Sequence, residues 1–219
     1  MLNSLKKEMK QLSKENKFEE AGKIRDRIYN LQQVMSHTNV IEGAKVAPTS
    51  DVGATLAKII GINKPMHRIE CYDVSNIQGK QATGSMVVFI DGKPDKSQYK
   101  KFRIRMGNKP NDIAMLKETI SRRLNHPEWN YPEIILIDGG IAQLNVTIKV
   151  KNQKKETKNI KVISIAKRNK DLYIEGKEGF VPLKTLPREI YNLVLQLDDE
   201  AHRFAIAYHK KLRKKDLLQ

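Results

Sequence analysis

The 219-residue chain carries 41 lysines and arginines against 25 aspartates and glutamates, a formal charge of +16, and one cysteine among 39% hydrophobic residues. This leaves room for one substantial domain and a small appendage, while the lone Cys71 excludes an intramolecular disulfide and a cysteine-rich metal site and suits a reducing cytoplasm. No apolar run is long enough for a membrane span and the start is a polar helix rather than a signal peptide. A soluble cytoplasmic protein with no membrane partner is therefore expected. The charge favours a polyanion, since each neutralised phosphate releases condensed counterions; the rival reading is a merely lysine-rich soluble protein.

Residues 1–36 read as two amphipathic helices. Leu5, Met9 and Leu12 recur at three- and four-residue spacing, and Ala21, Ile24, Ile28 and Leu31 repeat the pattern after the polar break Glu15-Asn16-Lys17, with Phe18 opening the second stripe. A hairpin this small cannot hold a large core alone and packs on a partner or on its own copy. Residues 37–50 are polar and read as a linker, Leu56, Ile59 and Ile60 predict a short helix ending at Gly61, and Lys64-Pro65 leads into the main domain. The expected division is 1–36, 37–65 and 66–219.

The main domain opens on a strand over Arg68–Val74, where alternation puts Ile69, Cys71 and Asp73 on one face and Glu70, Tyr72 and Val74 on the other. Asp73 is thus an acid on a largely apolar strand, costly unless it meets a cation or donors. Gly84–Ile90 predicts a second strand, Asp91-Gly92-Lys93-Pro94 a turn longer than two residues, and Ser97–Ile104 a third strand. In that third strand Tyr99 and Phe102 alternate with Lys96, Lys100, Lys101, Arg103 and Arg105, which suits either a phosphate backbone or a solvated edge. A helix follows over Asn111–Leu124, with Asp112 in its first turn as a capping residue.

Ile134-Ile135-Leu136-Ile137 has the unbroken aliphatic run of a strand buried on both faces, and it ends in Asp138-Gly139-Gly140. Carboxylates at such strand ends sit where α/β folds place ligand and metal chemistry; the plain alternative is ordinary Asp-Gly turn chemistry. A helix over 141–150, a lysine-rich stretch, a fifth strand over 161–166 and a small hairpin around Leu172-Tyr173-Ile174 and Phe180-Val181 come next. Lys167 and Arg168 lie at the end of the fifth strand. The last helix runs from Arg188 to Lys215, with His202 at the border of its apolar stripe and Asp198 one turn earlier.

Two resemblances follow from these residues. Leu5-x3-Met9-x2-Leu12 with Phe18-Glu19-Glu20-Ala21-Gly22-Lys23-Ile24-Arg25-Asp26 resembles the UVR motif, with Gly22 where alanine is usual. Ile69-Glu70-Cys71-Tyr72-Asp73-Val74-Ser75-Asn76, Ile135-Leu136-Ile137-Asp138-Gly139-Gly140 and Asp199-Glu200-Ala201-His202-Arg203-Phe204 resemble, in order, the signatures of the UvrC C-terminal endonuclease domain. The element order is similar to the ribonuclease H-like fold, so the resemblance implies an α/β protein with a mixed five-stranded sheet and flanking helices behind a small helical hairpin.

The resemblance further implies a metal-dependent DNA endonuclease of nucleotide excision repair that makes the 5′ incision beside a lesion in double-stranded DNA. The family's catalytic Asp-Asp-His set maps onto Asp73, Asp138 and His202, which would hold Mg²⁺ or Mn²⁺ as hard cations suited to oxygen ligands, with Asp112 as an extra acid. His202 either completes the metal shell or moves a proton, and one metal or two fits equally. Lys167, Arg168 and Arg203 would contact DNA, and Phe18, Ala21, Ile24 and Arg25 would dock residues 1–36 on a UvrB-like helicase subunit. Asn76 stands where the family has histidine and Ile141 where it has lysine; the GIY-YIG and helix-hairpin-helix domains are missing, as in a fragment or a reduced relative. The rival readings are a non-catalytic DNA-binding or UVR-dependent adaptor and a ribonuclease H-type enzyme acting on RNA–DNA hybrids or branched DNA.

Overall fold

The computed structural model describes residues 2–15, 19–22, 24–25, 28, 49–63, 66–77, 81–105, 111–166 and 169–216, in two units, Met1–Val46 and Ala47–Gln219. In the first unit α1 (Leu2–Lys14) is followed by helical backbone at 19–22, 24–25 and 28, the periodicity expected of the hairpin. Leu5, Ala21 and Ile28 are buried there, Ile24 is half-buried and Arg25 is exposed; Phe18 lies outside the described residues. Most of the expected linker, 37–48, also lies outside them.

The second unit is built on a mixed sheet in which β1 (Arg68–Ile77) pairs antiparallel with β2 (Gln81–Ile90) and parallel with β5 (Ile134–Asp138). Beyond β2 lie β3 (Lys93–Pro94) and β4 (Lys100–Arg103); beyond β5 lie β6 (Lys161–Ala166), β7 (Asp171–Ile174) and β8 (Val181–Pro182). The order β4-β2-β1-β5-β6 is the ribonuclease H-like arrangement the resemblance implied, with β1 central and β5 and β6 parallel beside it. The small hairpin foreseen near Leu172 widens this five-stranded frame, because β7 pairs antiparallel with β6 and carries β8 on its far side.

Two local readings change. The turn after β2 has only two residues, since Ile90 pairs with Lys93 and Asp91 and Gly92 take positive φ of 50° and 75°, the conformation that matches hairpin twist. The third long strand starts at Lys100 rather than Ser97, because Asp95 accepts hydrogen bonds from the Ser97 N–H (3.1 Å), the Ser97 hydroxyl (2.6 Å) and Gln98 Nε2 (2.7 Å) and so winds Lys96–Gln98 into a 3-10 turn.

Helices cover both faces. α2 (Thr49–Ile60) and α5 (Arg188–Asp216) pack on one, where Leu56, Ala57, Ile60, Leu193, Val194, Leu197 and Ala201 meet Ile69, Cys71, Val87 and Leu136. α3 (Asp112–Leu124) and α4 (Ile141–Lys151) pack on the other, where Leu116, Ile120, Leu144 and Val150 meet Tyr72, Met86, Val88 and Ile137. Gly84 lets α3 come close, for a Cβ there would stand 2.4 Å from Thr119 Oγ1.

Candidate active site

Alternation along β1 and β5 decides which side chains meet. Cys71 and Leu136 belong to the core under α5, so Asp73 and Asp138, two residues further along their strands, face the same side at the same sheet edge. Register confirms the neighbourhood: Tyr72 pairs with Ile137, the residues just before the two aspartates. α5 lies across this face and brings His202 over the strand end. Its Nδ1 stands 3.7 Å from Asp73 Oδ1, an ion-pair separation when the ring is protonated. Asp73 is 5% exposed, Asp138 is half-buried, and the His202 side chain is 48% exposed, so the acids are set into the fold and the imidazole faces outward.

The electrostatics locate a further acid. Burial pushes the Cys71 thiol well above its ordinary range, and the negative charges of Asp198, Asp138 and Asp73 raise it further. Asp198 sits one turn before His202 on α5, and its charge reaches the same buried thiol as the other two. Asp73 Oδ2 is buried without a hydrogen-bond partner among the described residues. A buried carboxylate oxygen left in this state is costly, and it is the state expected of a group that bonds an exogenous ligand. Hard divalent cations take such oxygens, so the donor set of Asp73, Asp138 and Asp198 fits Mg²⁺ or Mn²⁺ in chemistry. No group of three His, Cys, Asp or Glu side chains among the described residues is already drawn together tightly enough to hold an ion.

The turn after Asp138 is shaped by glycine. Gly139 takes φ 152°, and a Cβ on it would stand 2.7 Å from Gln143 Cγ. Gln143 folds back so that its Oε1 accepts the Gly140 N–H at 3.1 Å, which starts α4 directly behind the acid. Ile141, the first residue of that helix, is 53% exposed and brings no charge to the site.

Across the sheet the same row continues from Asp73 to its register partner Ser85 and on to Lys101 of β4. The next row outward holds Ser75, Thr83 and Arg103. Lys101 Nζ lies over the rings of Phe204 (4.7 Å) and Tyr208 (4.9 Å) of α5, while Tyr99 meets Phe204 edge-on at 5.0 Å. The basic, aromatic third strand foreseen from the sequence thus lies beside the acids on the face that carries α5. Arg203 gives its Nε and Nη2 to Glu200 at 2.6 Å each, and Glu200 also accepts from the Tyr99 hydroxyl at 3.0 Å. Burial raises the Glu200 carboxyl, but these bonds outweigh it and hold the group below the usual range.

Asp112, Lys167 and Arg168 complete the predicted set. Asp112 is exposed in the first turn of α3, where Asn111, not Asp112, caps the helix by accepting the Ala114 N–H at 3.0 Å. Arg123 near the other end of that helix bonds Glu70, and Thr119 packs on Gly84, so α3 runs back along β1 and opens at the edge where the acids lie. Lys167 and Arg168 lie outside the described residues. Ser85 had no signal in the sequence, being one hydroxyl in an otherwise ordinary strand.

Comparison with known proteins identifies the family. The family model described as the UvrC RNAse H endonuclease domain matches residues 57–206, and the UvrB/uvrC motif matches residues 1–34. UvrABC system protein C of Fusobacterium nucleatum is 38% identical over 164 residues, covering 74% of this chain and 28% of the relative. The protein of the same name from Geotalea daltonii is 38% identical over 200 residues, covering 84% of this chain and 32% of the relative. Ciona intestinalis endonuclease V in complex with DNA containing an inosine is a distant structural likeness, with TM-score 0.35, 15% identity, and coverage of 69% of this chain and 57% of that one. The chain thus spans about a third of the length of the curated relatives it matches. With its endonuclease-domain match extending over most of its length and the UVR motif ahead of it, the chain belongs to the UvrC family.

Proposed function

We propose that this chain is a divalent-cation-dependent DNA endonuclease of nucleotide excision repair, making the 5′ incision beside a lesion by phosphodiester hydrolysis. The observation that carries the reading is the buried, unbonded Asp73 Oδ2 beside Asp138, with His202 Nδ1 3.7 Å from the other Asp73 oxygen. Asp73 and Asp138 would hold Mg²⁺ or Mn²⁺, which supplies Lewis-acid stabilisation of the scissile phosphate and a more acidic attacking water. His202, half-exposed and 3.7 Å from Asp73, would move a proton between the site and solvent. Lys101 and Arg103, on the rows that lead from Asp73 to the sheet edge, would receive the phosphate backbone. Residues 1–34, through Ala21, Ile24 and Arg25 together with Phe18, would dock on a UvrB-like subunit. Lesion-bearing duplex with labelled ends, incubated with Mn²⁺ and the partner subunits, tests the reading. Incision 5′ to the lesion is expected from the wild type and not from Asp73→Ala or Asp138→Ala. Incision by both variants at the wild-type rate would refute the mechanism, and binding of DNA and partner without incision by any of the three would make the chain an adaptor.

A further inference from the structure

Among the described residues, two buried side-chain oxygens lack a hydrogen-bond partner: Asp73 Oδ2 and Ser85 Oγ. They are not scattered. Asp73 and Ser85 are direct register partners on β1 and β2, and both face α5, since Cys71 and Val87, the residues two places away on each strand, lie in the core on that side. Directly opposed positions place their Cβ atoms about 5 Å apart, close enough for one small ligand to bond both side chains. Ser85 is 0% exposed, with Met86, Val87, Val88 and Phe89 following it in the strand as fully buried apolar residues. A hydroxyl that bonds nothing in such a setting is worse than the methyl group of alanine in the same space, because its desolvation is uncompensated. Folding gives no reason for the oxygen; the acid across the strand does.

We infer that Ser85 is a positioning residue of the cation site, its hydroxyl holding a water in the coordination shell of the ion on Asp73. The inference rests on the cation-dependent reading above. Mg²⁺ dehydrates reluctantly and keeps several waters, so a site built on a few carboxylates needs neutral groups to orient that shell. A buried serine beside a carboxylate is such a group, and it adds no charge to a region that already gathers Asp73, Asp138 and Asp198.

The test measures Mn²⁺ affinity by calorimetric titration, and metal-free melting, for the 219-residue chain and its Ser85→Ala and Ser85→Thr variants. Ser85→Ala is expected to bind Mn²⁺ about 10- to 100-fold more weakly, while its metal-free melting temperature stays level or rises. Ser85→Thr, which keeps the hydroxyl, is expected to retain most of the affinity, whatever its extra methyl does to melting. Unchanged Mn²⁺ affinity in Ser85→Ala overturns the role of Ser85 and leaves the cation reading standing. A lower metal-free melting temperature with unchanged affinity overturns it too and assigns the hydroxyl to folding. Absence of Mn²⁺ binding in the wild type overturns the cation reading itself, and this inference with it.

Discussion

Replacing Asp73 by asparagine should make the metal-free protein more stable and, on the mechanism proposed above, abolish incision. The carboxylate is 5% exposed, one of its oxygens has no hydrogen-bond partner among the described residues, and the other lies 3.7 Å from a half-exposed imidazole. The negative charges of Asp138 and Asp198, like that of Asp73, also raise the thiol of Cys71, two residues earlier on the same face of β1. An unmade buried polar group costs about 1–3 kcal/mol, more when charged. Asparagine keeps the shape and removes the charge, so a gain of about 1–2 kcal/mol is expected, with the amide's own desolvation setting the upper limit. For a domain of this size that is roughly a 2–8 °C rise in melting temperature. The assay is thermal unfolding in EDTA and again with saturating Mn²⁺, beside incision of lesion-bearing duplex. Ligand binding stabilises the wild type by mass action, so added Mn²⁺ should narrow or reverse the difference; incision by Asp73→Asn should fall by more than roughly 100-fold. A variant that melts below the wild type in EDTA refutes the reasoning, because Asp73 would then be a residue the fold depends on.

Arg123→Ala should destabilise the domain by about 3–5 kcal/mol in urea unfolding, because it removes one of the two cations that neutralise the buried Glu70 carboxylate; a loss under 1 kcal/mol would mean that Arg68 and the Tyr72 hydroxyl satisfy the acid without it. Gly84→Ala places a Cβ 2.4 Å from Thr119 Oγ1 and should cost about 1–3 kcal/mol. Thr119→Ala in the same chain should recover part of that loss, and a double-mutant cycle reads the coupling. Gly22→Ala should slow amide exchange at the helical positions 19–22, 24–25 and 28 and stabilise them by about 1 kcal/mol, since the added Cβ meets nothing within 4 Å. Glu200→Gln should lower stability at neutral pH. The folded Glu200 carboxyl lies below its ordinary value of 4.5, so its contribution is complete above that pH and is lost on descending through the lower, folded value. Melting curves of the two proteins should therefore converge in acid; a gap that widens there would reverse the assignment.

The strands and the faces of the two acids were legible because both are written in local patterns, whereas the sheet order followed from the resemblance to the ribonuclease H-like fold. The unbroken aliphatic run of 134–137 marks a doubly covered strand, and the period of two in 68–74 fixes the face of Asp73. The length of the last helix was equally plain, since its stripe of Ile190, Leu193, Val194, Leu197 and Ala201 continues without a break. What the sequence hid depends on register. Ser85 and Lys101 join Asp73 in one row only because β1, β2 and β4 pair as they do, and no spacing within one strand reports that. α2 was read as a connector because its sequence shows only a short stripe, yet Leu56, Ala57 and Ile60 lie in the core beside α5. Its apolar face has meaning only once that partner, more than a hundred residues later, is in place.

β1 also shows how two buried acids on one strand can have opposite roles. Glu70 and Asp73 are both nearly inaccessible, three residues apart, and therefore on opposite faces of the sheet. Glu70 receives Arg68 (3.0 and 2.8 Å), Arg123 (2.8 to 3.2 Å) and the Tyr72 hydroxyl (2.6 Å). Arg123 in turn gives its remaining donors to the carbonyls of His126 and Asn130 at 3.0 and 2.6 Å. Every charge in that network meets a partner from the chain itself, which is what a buried ion cluster needs to avoid a large desolvation penalty. Asp73 meets a partly solvated histidine, and among the described residues one of its oxygens and the Ser85 hydroxyl beside it have no hydrogen-bond partner. Burial alone would rank the two acids as equals, and satisfaction separates them. The fold completes the shell of Glu70, and the cation-dependent reading proposed above assigns the open oxygen of Asp73 to a ligand, with chemistry on the α5 face and structure on the α3 face of the same strand.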